Sequence, residues 1–159
     1  MTTVNGLPAH VLLVHFVVVL APLTAVLAVL CALWRPARNR LIWLVVVLSL
    51  VTAVVTPLTA SAGEWLEDQV GRSALLHTHT ELGDTMIYFS LTLLVGVALL
   101  AFIHVRESRN LATNSIATWL IVAFVVLAGV ATSVQVYRIG DSGAQATWGE
   151  QTNANTDVP

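Results

Sequence analysis

Arg35-Pro36-Ala37-Arg38-Asn39-Arg40 is a short polar gap between two long apolar runs, and a second gap, Arg106-Glu107-Ser108-Arg109, follows further along. Together they hold five of the seven cationic side chains. Short Arg-rich connections between apolar spans stay on the cytoplasmic side of a membrane. The pattern predicts an all-α, four-helix transmembrane bundle with both gaps facing the cytoplasm and both termini on the outer side. Eight of the nine acidic residues and four of the five histidines then fall toward the outer end, which is where function is to be sought.

Composition agrees. Of 159 residues, 57% are hydrophobic and 10% charged, and the mean hydropathy is +0.82. A soluble domain carries about 25% charged residues; the deficit suits a surface that faces lipid, where no water solvates charge. A net charge of −2 gives no reason to expect nucleic acid. Every cation is Arg and none is Lys, a bias associated with GC-rich bacteria, so the expected location is a bacterial plasma membrane. The single cysteine, Cys31, has no internal disulfide partner and reads as a small packing residue. The N-terminal apolar run lacks a basic leader and is too long for a signal-peptide core, so it is expected to be a retained helix.

The expected helices cover residues 8–34, 41–60, 79–105 and 115–137, inside one domain of residues 1–138, with a polar tail over 139–159. About 20 apolar residues span a bilayer. Gly6 and Pro8 suit the start of the first helix, and Pro22 is expected to kink it. Pro57 lies near the outer end of the second. Residues 64–73 suit either a short surface helix or a solvated loop. Thr78-His79-Thr80-Glu81 fits a capping box opening the third helix, with His77 just outside it. Trp34, Trp43, Tyr88, Trp119 and Tyr137 fall where aromatic belts sit. No internal repeat is evident.

Small and weakly polar residues mark the faces where membrane helices touch. The second helix shows Ser49, Thr52, Thr56 and Thr59 in one stripe; the first shows Ala21, Thr24, Ala28 and Cys31. Continued outward, that first seam passes through Val17, Val14 and His10. The third helix aligns His79, Gly83, Met86 and Ser90, and the fourth offers Gly129, Thr132 and Ser133. Each stripe is read first as packing.

His15 lies about 7 Å deeper than His10 at 1.5 Å per residue. An ionisable group at such depth needs a partner and points to function. His10 is about 140° around the axis from it at 100° per residue. His77 and His79 bring imidazole to the same outer layer from the third helix. Two histidines from different helices can clamp a b-type haem from opposite faces, with His15 and His79 the preferred pair, His10 and His77 next, and Gly83 making room for the flat ring. Trp65, Trp148 and Asp141 are candidates to cover the site. His104, at the cytoplasmic end with no second histidine, reads as an interfacial anchor. The competing chemistry is a zinc or copper site, or a proton relay, built from His10, His15, His79, Glu81 and Asp84. Its spacings are not diagnostic, and Glu81 and Asp84 equally suit a helix N-terminus.

Gly6-Leu7-Pro8-Ala9-His10-Val11-Leu12-Leu13-Val14-His15-Phe16 resembles the N-terminal HPxxVHFP signature of a bacterial domain-of-unknown-function family of small four-helix membrane proteins. Residues 138–149, Arg138-Ile139-Gly140-Asp141-Ser142-Gly143-Ala144-Gln145-Ala146-Thr147-Trp148-Gly149, resemble the segment that closes many members, and the His-x-x-x-Gly run at His79 and Gly83 also fits. Val11 and Val17 stand where members often carry Pro, and Asp141 where some carry His. The family is similar in layout to small membrane cytochromes b, and some relatives are fused to redox domains. The resemblance implies a multi-pass membrane protein and leans toward redox chemistry. The readings carried forward are an electron-transfer protein with one haem on the outer side, an accessory subunit of a respiratory or other redox complex (or a homo-oligomer), and a metal or proton handler. An enzyme with its own substrate is the lesser expectation.

Overall fold

The computed structural model describes the backbone of residues 3–4, 7–70 and 74–156, and the side chains of residues 10–69 and 74–147. Gly6, residues 71–73, the Trp148 side chain and residues 157–159, all invoked above, lie outside them. A two-residue antiparallel ladder, β1 (Thr3–Val4) with β2 (Leu7–Pro8), leads into four helices: α1 (Ala9–Leu33), α2 (Arg35–Val70), α3 (Ala74–Ser108) and α4 (Ser115–Thr156). All four are long and apolar enough to cross a membrane. They run antiparallel in a square, each packed on two neighbours, with α4 closing against α1 and little contact between α1 and α3.

The polar gaps become helix ends. Only Trp34 separates α1 from α2, so the Arg35–Arg40 segment is the opening turns of α2 rather than a loop. Pro36 favours this, since its missing N–H falls where a helix start has no bond to make. Burial also pulls the segment into the helix. Arg38 is 2% exposed, and its Nη2 reaches Glu107 Oε2 on α3 at 3.0 Å, while the exposed Arg35 reaches Glu107 Oε1 at 2.8 Å. The α3–α4 connection leaves α3 through Asn110 in the left-handed region (φ 54°), and Asn114 Oδ1 caps α4 by accepting from the N–H groups of Ile116 and Ala117.

The small-residue seams form the interior. Ala21, Thr24, Ala28 and Cys31 on α1, and Ser49, Thr52, Thr56 and Thr59 on α2, are all buried. Their hydroxyls bond the preceding turn, as Thr24 does to Leu20 O and Thr56 to Thr52 O, so the polar atoms are satisfied without cost to packing. Gly129 brings α4 against α1 so closely that a Cβ there would lie 2.8 Å from Val29 Cγ2 and 3.3 Å from the Ala25 carbonyl oxygen. Pro22 and Pro57 lie inside α1 and α2.

Three local expectations are corrected. Residues 64–70 continue α2 instead of forming a surface helix or loop. Thr78 is not a cap: α3 starts at Ala74, and Thr78 Oγ1 donates to Ala74 O inside the helix. Residues 139–156, expected as a polar tail, continue α4. One cause serves both extensions. Thr56, Thr59, Gly63 and Leu66 on α2, and Val136, Ile139, Gly143 and Ala146 on α4, keep three- and four-residue spacing past the apolar spans. That spacing holds one helical face against the bundle even where the opposite face turns polar.

Candidate functional site

The ends of α1 and α3 that begin the helices, and the ends of α2 and α4 that finish them, enclose a cavity of about 380 Å³. That is within the usual range of small-ligand sites, roughly 300–1,000 Å³. Its wall is mostly apolar, with Val14, Val17, Leu66, Met86, Val136 and Ile139 among the lining residues. Two imidazoles enter it, His10 from α1 and His79 from α3. Their ring centres are 6.4 Å apart and their planes are at 83°.

Each ring is seated on a glycine of the next helix. A Cβ at Gly63 on α2 would lie 2.9 Å from His10 Cε1, and one at Gly143 on α4 would lie 3.0 Å from His79 Cε1. Only a residue without a side chain lets the rings lie that close to the helix. Each ring is also anchored through Nδ1. His10 Nδ1 is 3.0 Å from Thr59 O. A carbonyl can only accept, so Nδ1 carries the proton. His79 Nδ1 is 3.0 Å from Ser142 Oγ, whose own proton goes to Ile139 O at 2.9 Å, so this Nδ1 is again the donor. Both rings are thereby held as the tautomer that leaves a lone pair on Nε2, the arrangement in which histidine binds metal.

Of the sequence candidates, the structure gathers His10, His79, Gly83 and Asp84 at this cavity. His15 is elsewhere: it is exposed on the outside of the bundle, with Nδ1 bonded to Val11 O one turn back. His77 points away from the ring pair, and its Nδ1 and Nε2 lie 3.4 Å from Glu67 Oε1 and 3.5 Å from Glu81 Oε1. Glu81 is exposed and does not line the cavity. Trp65 and Asp141 do not line it either; Asp141 accepts from Gln145 Nε2. His104 sits at the arginine end, beside a polar groove with Arg35 and Glu107.

Several site residues escaped the sequence reading: Gly63, Gly143, Ser142 and Glu67. Extending the Thr52–Thr56–Thr59 stripe by one more turn reaches Gly63 and then Glu67. Gln135 was also missed. It is buried on α4 and donates to Thr85 Oγ1 at 2.7 Å and Leu82 O at 3.2 Å, tying α4 to α3 below the cavity.

Gly83 and Gly140 border open space, with no atom within 4 Å of a would-be Cβ. Among the described residues, no three His, Cys, Asp or Glu side chains come together as a metal cluster. What the geometry defines is a multi-pass membrane protein with a histidine pair facing across an apolar cavity at one end of a four-helix bundle. Over residues 6–156 the chain matches the family described as "Predicted membrane protein (DUF2231)", and it belongs to that family. No curated protein and no solved structure matches it.

Proposed function

We propose that this protein holds one b-type haem between His10 and His79, near the outer face of the membrane, and passes single electrons through it. The observation that carries the reading is the placement of the two imidazoles. A metal–imidazole bond is about 2.0–2.1 Å and the ring centre lies about 1.1 Å behind the nitrogen, so rings on opposite sides of one ion have centres about 6.3 Å apart. His10 and His79 are 6.4 Å apart. Their Nδ1 anchors on Thr59 and Ser142 fix ring orientation before any ligand arrives. Gly83 and Gly140 leave lateral room beside the pair. Haem iron supplies a reversible one-electron couple when bound. The chain's part is to present two neutral imidazoles and to surround the couple with an apolar wall, which sets its potential. The outer placement follows from the Arg-rich end lying at the opposite pole.

A zinc or copper ion is the weaker reading, since such sites take three or four protein ligands and no such trio converges among the described residues. An accessory role in a larger complex is favoured by His15 alone. An exposed imidazole on a membrane helix is costly in lipid, and a neighbouring membrane protein or a second copy would cover it. A partner retained at fixed stoichiometry in mild detergent supports that role.

The test of the haem reading is the dithionite-reduced minus oxidised spectrum of protein purified in detergent, with haem supplied during expression. Sharp b-type bands at near one haem per chain are expected. His10→Ala and His79→Ala should each abolish them, whereas His15→Ala, His77→Ala and His104→Ala should not. A colourless wild-type protein refutes the proposal, and loss of the bands in His15→Ala but not His10→Ala moves the site.

A further inference from the structure

Glu67 is a carboxylate in an unusual position. Its side chain is 9% exposed, it lines the histidine cavity, and Oε1 has no hydrogen-bond partner among the described residues. The nearby polar atom is His77 Nδ1 at 3.4 Å, beyond good hydrogen-bonding distance. His77 is itself 63% exposed, so Glu67 touches the cavity on one side and a surface imidazole on the other. A buried charge with so little compensation is not there for stability.

We infer that Glu67 is the proton acceptor of the cavity, taking up one proton from the outer aqueous phase when the site gains one electron and releasing it when the electron leaves. This rests on the redox reading for the electron and on Glu67's own placement for the proton. The physical reason is charge. An electron added to an apolar cavity raises the energy of a neighbouring carboxylate because the repulsion between like charges is poorly screened there. Binding a proton removes that cost. The electron comes from an external one-electron reductant and returns to an external oxidant; the proton bonds to a Glu67 oxygen and returns past His77 to the same phase.

The other titratable groups that line the cavity are His10 on α1 and His79 and Asp84 on α3, with His77 of α3 meeting Glu67 from outside it, while the lining residues of α4 carry no charge. Glu81 approaches only through His77. Glu67 makes no hydrogen bond or ion pair with His10 or His79 among the described residues.

Spectroelectrochemical titration of the haem-loaded protein across a pH series tests the inference. In the wild type the midpoint should fall as pH rises, toward the 59 mV per unit that a tenfold change represents for one electron. Glu67→Gln should flatten the slope while keeping the b-type bands, and Glu67→Asp should restore it. An unchanged slope in Glu67→Gln, a pH-independent wild-type midpoint, or a slope abolished only by Asp84→Asn overturns the assignment. Should the wild type bind no haem, the redox reading fails alone, and infrared spectroscopy of the colourless protein in liposomes reads Glu67 directly. A protonated-carboxyl band that grows on acidification and is missing in Glu67→Gln supports proton uptake by this residue; no such band overturns it.

Discussion

Gly63→Ala puts one methyl group into the contact on which the site depends. Its carbon would lie 2.9 Å from His10 Cε1 and 3.0 Å from His10 Nδ1, closer than nonbonded atoms tolerate. The α2 backbone is held by its seam on α1, so His10 must move. Moving it breaks the Nδ1–Thr59 hydrogen bond, worth about 0.5–1.5 kcal/mol, and forces a repacking that costs about 1–3 kcal/mol. Alanine in a helix returns about 1 kcal/mol relative to glycine. The balance is a destabilisation of about 1–3 kcal/mol, with His10 displaced from its place opposite His79. Gly83→Ala is the comparison, because its added methyl meets nothing within 4 Å. That variant should keep or slightly raise the stability of the haem-free protein. The assay is denaturant unfolding in detergent followed by tryptophan fluorescence, alongside the haem spectrum. A Gly63→Ala protein as stable as the wild type, with unchanged bands, would refute the reasoning that the ring is seated on this glycine.

At the arginine end, Glu107→Ala leaves Arg38 buried without its partner and should cost about 3–5 kcal/mol. Arg35→Ala removes the exposed partner of the same carboxylate and should cost no more than about 1 kcal/mol; equal losses in the two variants, read by the same unfolding assay, would show that burial of Arg38 is not what matters. Gln135→Leu removes two buried hydrogen bonds between α4 and α3 and leaves Thr85 Oγ1 and Leu82 O bonded only within α3. It should cost about 1–3 kcal/mol, and thermal scanning in detergent would detect the lowered midpoint.

The bundle was legible because lipid imposes it. Apolar runs long enough to span, separated by Arg-rich gaps, admit few arrangements, and the threonine and alanine stripes that mark contact faces are buried as their spacing implied. The site was legible only in part. Continued outward, the α1 seam reached His10, the residue that meets His79, but greater depth favoured His15. Depth argues for function only when a side chain faces protein; His15 faces outward and satisfies one nitrogen on its own helix. The capping-box motif at Thr78 misled because the same four residues occur inside helices, and nothing local says that the helix has already begun at Ala74, a turn earlier. The polar end segments read as loops for a related reason. Their net polarity hides the one face, through Gly63 and Gly143, that stays against the bundle.

The two helical hairpins carry the same device. In α1–α2, His10 near the start lies over Gly63 near the finish and bonds the carbonyl of Thr59, four residues before that glycine. In α3–α4, His79 lies over Gly143 and bonds the hydroxyl of Ser142, which in turn donates to the carbonyl of Ile139, four residues before the glycine. The sequence shows no repeat because the rest of each hairpin need only be apolar, so only the chemistry-bearing positions keep the correspondence. Neither hairpin holds more than one of the two imidazoles. Their 6.4 Å separation is therefore set by how the hairpins pack, chiefly where α2 meets α3 and where Gly129 lets α4 close on the Ala25 turn of α1. That contact is remote from the cavity along α4, yet a side chain there would spread the hairpins and with them the rings. The distance between the rings is therefore a property of the bundle seam, set in part by small residues on α1 and α4 well below the histidines.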